Sequence, residues 1–174
     1  NGYKALHIVS YAERTTLFLR WERLWAVMNA ANQEQDLRGL IGRKKASAMF
    51  KHGGLKVVSV DFTLIQRQPD LGGLGAYRTS LQTFGLMRGD CVELTADGRY
   101  LAEMFWEQHR SIWKKCARTI ETGRMCLPRS RRKLARIAAI LGIQARRQGQ
   151  DSNPAHTDEL RFLRDRLLPD SGTQ

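Results

Sequence analysis

Apolar residues recur every three or four positions along much of this 174-residue chain, a spacing that places them on one face of an α-helix. The clearest stripe lies in residues 11–32 and contains Leu17, Trp21, Leu24 and Met28. The same spacing returns in residues 96–122, where a single long helix is expected, and again after Pro128. This pattern predicts a mainly α fold.

A different pattern interrupts the helices in the middle of the chain. Residues 73–85 carry Leu74, Tyr77, Leu81 and Phe84 within one arc of a helical wheel, which predicts a helix with these side chains facing the core. Gly85 follows, where a helix end favours a left-handed residue. The turn-forming triplet of residues 88–90 lies between short apolar arms and predicts a short β-hairpin. Thr95 is then in position to cap the next helix.

The charge balance is strongly basic and points to a polyanionic partner. The chain has 29 Lys and Arg residues against 17 Asp and Glu, a net charge of +12 and a pI near 10.3. Residues 122–150 contain eight Lys or Arg and no acid. Such a field attracts phosphate polymers and acidic surfaces. We therefore expect nucleic acid as a partner, DNA more than RNA, with other protein subunits as a second kind of partner.

Two regions are expected from this organisation. Residues 1–122 form a helical domain, in which residues 55–122 make up the helix–hairpin–helix unit. Residues 123–174 form a basic helical C-terminal extension, with Leu134, Ile137 and Leu141 on its apolar side. Because the chain begins at Asn1 rather than Met, an upstream region is left open.

The segment GLGAYRTSLQTFGLMRGDCVELTADGRYLAEMF (residues 73–105) resembles the end of a bacterial winged helix-turn-helix domain. The likeness lies in Phe84-Gly85-Leu86 at the end of a helix, the hairpin after it, and the LT-x-x-G-x-x-LA exit that starts at Leu94. The wider arrangement of WERLW, GLIGRKKA and GGLGAYR also resembles uncharacterised bacterial proteins of mobile and anti-phage loci, for which no activity is inferred. The resemblance implies a winged-helix-like unit within the mainly α fold.

The winged-helix likeness assigns candidate nucleic-acid-binding residues. A helix fits the major groove of DNA, and polar side chains on its outer face reach base edges. The residues that would face the groove are Arg78, Thr79, Gln82 and Thr83, with Arg88 at the hairpin tip on phosphate. From their charge alone, further cations are expected to contact phosphate without reading sequence. They are Arg110, Lys114, Lys115, Arg118, Arg129, Arg131, Arg132, Lys133 and Arg136.

Catalytic and cofactor sites are not indicated. The three cysteines form no C-x-x-C pair, which disfavours both structural zinc and a disulfide framework and favours a reducing, cytoplasmic environment. Cys91 lies in the predicted hairpin without an identifiable base, and no clustered carboxylates suit a metal-dependent nuclease. Apolar runs are too short for a membrane span. We expect no metal, no cofactor, no membrane partner and no enzymatic activity.

Two interpretations of function remain, with a third left open. In the first, the protein is a non-enzymatic DNA-binding protein whose winged-helix unit docks on duplex while basic helices contact the backbone. The alternative is a structural subunit of a bacterial nucleoprotein or defence complex, whose helices contact protein and whose cations line an RNA or DNA channel. The third is an enzyme whose active site lies upstream of Asn1.

Overall fold

The structure is a computed structural model that describes residues 10–31, 42–51, 57–89, 92–107, 109–126, 137, 158 and 161–165. Within these residues the protein is mainly helical, with two short antiparallel strand pairs. The helices are α1 (Tyr11–Ala31), α2 (Arg43–Lys51), α3 (Gln68–Leu71), α4 (Gly73–Thr83), α5 (Ala96–Glu107) and α6 (Arg110–Thr122). The strands are β1 (Val57–Ser59), β2 (Met87–Arg88), β3 (Glu93–Leu94) and β4 (Arg124–Cys126). Residues 137, 158 and 161–165 are also helical.

Helix α1 confirms the first predicted stripe and forms the centre of the core. A reciprocal cap starts it: the Ser10 hydroxyl accepts the Glu13 N–H, and the Glu13 carboxylate accepts the Ser10 N–H. Further along, its buried residues Leu24, Val27 and Met28 join the core with residues from α2, from the segment after β1 and from α6. These partners include Ala46, Val60, Leu64, Ile112, Cys116 and Ile120.

The single helix expected over residues 96–122 is wrong, because the chain breaks between α5 and α6. Helix α5 ends at Glu107, and α6 begins at Arg110 after His109. In a continuous helix, Trp106 and Trp113 would lie about 10 Å apart along the axis. Instead, their ring centroids are 4.7 Å apart, and Trp106 also contacts Trp21 of α1 at 5.4 Å. The break thus lets aromatic residues of both helices pack on each other, with Trp106 beside α1.

The predicted hairpin is confirmed, with Met87 opposite Leu94 and Arg88 opposite Glu93. Gly85 has a φ of 66° and ends the turn after α4. The Thr95 hydroxyl accepts the Gly98 N–H at 3.1 Å, which is the expected cap of α5, and it also donates to the Gly85 carbonyl at 2.6 Å. One side chain therefore joins the end of the α4 turn to the start of α5.

In the second strand pair, only one strand has a local signal in the sequence. The β-branched start of LKVVSV suits a strand, and β1 forms there. Its partner β4 lies at the start of the region expected to be a helical extension, and Val57 faces Cys126 in the antiparallel register. The Val60 N–H also donates to the Gly123 carbonyl at 2.8 Å. Residues 123–126 are therefore attached to the main helical body.

The described helices include none with both the length and the apolarity that a transmembrane span needs.

Candidate nucleic-acid interface

Helix α6 has one buried face and one cationic face. Ile112, Cys116 and Ile120 pack in the core. The opposite side carries three exposed cations spaced four residues apart, so that they line up along the helix: Arg110, Lys114 and Arg118. Lys115, also exposed, lies beside this row. We call these four residues the α6 ridge. The structure therefore brings four of the predicted phosphate-contacting residues together on one helix.

Most of the α6 ridge is not neutralised by described acids. Arg110 forms an ion pair with Glu107 at 2.9 Å, in which both side chains are largely exposed. Within the described ranges, Lys114, Lys115 and Arg118 are in no ion pair with an acidic side chain. The single acid in the α6 sequence is Glu121, in its last turn. The outer side of α6 thus carries a local excess of positive charge.

The acids that would balance this charge are engaged elsewhere. Asp61 pairs with Arg20 at 2.7 Å, Glu93 lies 3.8 Å from Arg14, and Asp70 lies 3.2 Å from Arg67. The Glu22 carboxylate accepts hydrogen bonds from the Gly73 N–H and from the Gln68 side chain. Because these carboxylates are bound to other groups of the protein, they do not pair with the ridge cations.

Helix α4 differs from the expected DNA-reading face at two positions. Thr79 and Thr83 are exposed as expected, and Ser80 lies between them. Arg78, however, is half-buried, and its Nε is buried without a hydrogen-bond partner. Gln82 is half-buried, and its amide donates to the carbonyl of Gly89 in the hairpin turn. The outer face of α4 therefore presents hydroxyl groups rather than the Arg and Gln side chains that were expected there.

The apolar arc predicted for α4 is also only partly correct. Leu74 is buried, but Tyr77 is 65% exposed and Phe84 is 38% exposed. Among the described elements, α4 packs mainly on α3 and β2. Two aromatic rings expected in the core thus lie at the surface, beside the hydroxyl face.

The glycine-rich turn before α4 is a close-packed corner and not an open phosphate loop. A Cβ on Gly72 would lie 2.6 Å from both the Gln68 carbonyl oxygen and the Glu22 carboxylate, and one on Gly75 would overlap the Asp70 carbonyl. The first free N–H group of α4, at Gly73, is already bonded to Glu22. A helix N-terminus attracts anions, but here a carboxylate of the protein itself occupies that place.

A continuous set of polar contacts joins this corner to the end of α6. Arg20 binds Asp61 through two hydrogen bonds and donates to the Ile120 and Glu121 carbonyls at 3.0 and 2.9 Å. Arg23 lies 3.9 Å from Asp61 and donates to Gln68 at 3.0 Å. Gln68 in turn donates to Glu22 at 2.7 Å. We call this set, Arg20, Asp61, Arg23, Gln68 and Glu22, the polar bridge.

Burial has a separate effect on Arg23. Loss of contact with water lowers its pKa, and the nearby Asp61 and Glu22 carboxylates partly counter that effect. The acids of the polar bridge thus favour the charged form of Arg23, whose guanidinium bonds Gln68 and the Val60 carbonyl.

A second cationic cluster was missed in the sequence. Arg43, Lys44 and Lys45 are exposed in the first turn of α2, which contains no acid. In the described residues none of them is in an ion pair. The signal was the run RKK itself, which appeared only within the GLIGRKKA resemblance. Cations at a helix N-terminus oppose the helix dipole, so this cluster costs some stability where it stands.

Five predicted phosphate-contacting residues lie outside the described residues: Arg129, Arg131, Arg132, Lys133 and Arg136. The hairpin residue Arg88 is described and exposed. It stands next to the turn whose Gly89 carbonyl is held by Gln82. Of the predicted set, the structure thus places Thr79, Thr83, Arg88, Arg110, Lys114 and Arg118 at the surface.

The described residues give little indication of metal or thiol chemistry. The described residues contain no group of three or more His, Cys, Asp or Glu side chains able to hold a metal ion. Cys116 is a free, buried thiol, and burial raises its pKa to about 11. At neutral pH it is a protonated core residue, whereas the thiolate is the reactive form.

No protein-family model, curated protein or solved structure matches this chain. The resemblance to winged-helix proteins therefore depends on the residues of this chain alone.

Proposed function

We propose that this protein is a non-enzymatic nucleic-acid-binding protein that holds its ligand mainly by contacts to the phosphate backbone. The α6 ridge is the main contact surface, and Arg88 on the hairpin and the cluster of Arg43, Lys44 and Lys45 add to it. The observation that carries the proposal is the exposed row on α6, in which Lys114 and Arg118 are in no ion pair among the described residues, in a chain of net charge +12. Cations of this kind release counterions from a phosphate polymer when they bind.

The helix–hairpin–helix unit supports a winged-helix interpretation of the region around α4. In that interpretation α4 is the helix that faces the ligand and β2–β3 is the wing. The exposed hydroxyls of Thr79, Ser80 and Thr83 suit contacts to phosphate or sugar. Bidentate recognition of bases by Arg or Gln is not favoured, because Arg78 is half-buried and Gln82 is bonded to Gly89.

A salt titration of binding tests this function. We expect log K for a short duplex to fall linearly with log salt concentration for the wild type. The double variant Lys114→Ala/Arg118→Ala should bind less tightly, with a slope smaller by about two, since each lost phosphate contact removes about 0.9. Fluorescence anisotropy of a labelled oligonucleotide measures both quantities.

A matched control uses cations that are already paired. Arg161→Ala/Arg164→Ala removes two exposed arginines that lie near Asp158 and Asp165, so the salt slope should change much less. Equal slopes for the α6 variant and the wild type would remove α6 from the interface. Absence of binding by the wild type to duplex, single-stranded DNA and RNA at low salt would overturn the proposed function.

A further inference from the structure

The exposed aromatic residues of α4 stand apart from most other described rings. Trp21, Trp106 and Trp113 contact one another in and around the core, and Tyr100 contacts Phe162 at 5.6 Å. Tyr77 is the most exposed large apolar side chain described, and Phe84, the residue directly after α4, is also exposed. Within the described residues, neither ring lies in an aromatic pair.

Their spacing places both rings on one side of α4. Residues seven apart in an α-helix are separated by two turns, or about 10 Å along the axis. Ser80 lies between them in sequence and is exposed. This side of α4 thus presents two flat apolar rings, with the Ser80 hydroxyl between them in sequence.

A cation follows Phe84 by four residues, on the hairpin. Arg88 lies in β2, which pairs with β3. The turn of this hairpin is held to α4 because the Gln82 amide donates to the Gly89 carbonyl. Arg88 is exposed. Rings for stacking beside a cation for phosphate are the two components that proteins use to bind single-stranded nucleic acid.

We infer that Tyr77 and Phe84 are stacking platforms for unpaired bases, so that the preferred ligand is single-stranded nucleic acid. This inference rests on the proposed function and deepens it. The π-face of any base stacks on an aromatic ring, so binding of this kind needs none of the edge-reading side chains that α4 lacks on its outer face. Arg88 and the α6 ridge supply the complementary charge for the strand's phosphates.

The test compares single-stranded and duplex ligands with an aromatic double variant. Tyr77→Ala/Phe84→Ala should lower affinity for an oligo-dT or oligo-U strand by about tenfold or more, because replacing each stacking ring with alanine typically weakens binding by about fivefold or more. Its salt slope should equal that of the wild type, since no cation is lost. Affinity for a blunt duplex should change less than threefold.

Two further variants separate stacking from other effects. Tyr11→Ala removes a tyrosine that is 48% exposed in the first turn of α1, and it should leave single-strand affinity unchanged. Tyr77→Phe/Phe84→Tyr keeps both rings and should bind as the wild type. Urea unfolding checks each variant, and because both side chains are exposed, the midpoints should remain close to that of the wild type.

The outcomes distinguish this inference from the proposed function. Unchanged single-strand affinity in the alanine variant, or an equal loss on duplex, overturns the stacking role while backbone binding stands. If the alanine variant loses only self-association, measured by sedimentation, the rings contact a second copy of the chain and the inference is also wrong. If the wild type binds no nucleic acid, the proposed function fails first.

Discussion

Cys116 shows how strongly the core of this protein constrains one side chain. It is 4% exposed and lies between Ile112 and Ile120 on the buried face of α6. Removal from water raises the pKa of its thiol to about 11, although the nearby Lys115 charge favours the thiolate. The unfolded chain exposes the same thiol, which then ionises near its ordinary pKa of 9.0.

This difference predicts a loss of stability at alkaline pH. Since the folded pKa is raised, the contribution is complete below pH 9.0 and is lost as the pH rises toward 11. A shift of about two pKa units corresponds to about 2–3 kcal/mol of unfolding free energy. Urea unfolding at a series of pH values measures it. Because Lys and Tyr titrate in the same range, the comparison is with Cys116→Ala, which should show a shallower fall; parallel curves would contradict the prediction.

At the scale of the element, α4 depends on a carboxylate from another helix. Its N-cap residue is Gly72, which has no side chain to accept an N–H group. Glu22 of α1 takes that role by accepting the Gly73 N–H. The sequence gives no sign of this, because a cap from a residue 51 positions away leaves no local pattern.

Replacing this cap should destabilise the protein. In Glu22→Gln the new amide would point a donor at the Gln68 amide or at the Gly73 N–H, so one hydrogen bond is lost inside the polar bridge. The expected cost is about 1–3 kcal/mol, measured from urea midpoints. Glu103→Gln, on the exposed side of α5, is the matched control and should cost almost nothing. A midpoint for Glu22→Gln equal to that of the control would show that the cap is dispensable.

The elements that sequence predicted well are those with a local cause. Helix α1 has a capping box and a long apolar stripe, and the hairpin has turn residues between apolar arms. The break between α5 and α6 and the strand β4 involve partners that are distant in sequence, namely the Trp21–Trp106 contact and the pairing with β1. Likewise, helical periodicity alone placed Tyr77 and Phe84 in the core, because it records which residues share a face and not what packs against that face.

At the scale of the whole molecule, the charge distribution is the dominant property. The described acids are largely bound within the fold, and exposed cations remain on α2, on the hairpin and on α6. The sequence predicted this excess and its location on α6, but it missed the cluster on α2, since which cations remain unpaired depends on where each acid is held. The structure adds that Arg20 and Arg67 are paired with acids, whereas Lys114 and Arg118 are in no ion pair among the described residues.

Repulsion among these cations predicts that added salt stabilises the free protein. At 0.1 M salt, interactions between exposed charges more than about 10 Å apart are largely screened, whereas the close contact between half-buried Arg20 and Asp61 is screened less. The urea midpoint should therefore rise with added NaCl. In Lys114→Glu/Lys115→Glu the rise should be smaller, because two of the repelling charges are reversed. A midpoint that falls with salt in the wild type would mean that the internal ion pairs outweigh the surface repulsion.

The contact between Arg20 and the Ile120 carbonyl also has a consequence for synthesis of the chain on the ribosome. These residues are 100 positions apart, and the apolar side of α1 is completed only when α6 packs against it. At translation rates of about 5–20 residues per second, α1 waits roughly 5–20 s for its partner. During that interval Leu24 and Val27 lack the core packing that α6 supplies. In the nascent chain, the apolar side of α1 is therefore exposed early, and it is covered only after the basic helix α6 has been synthesised.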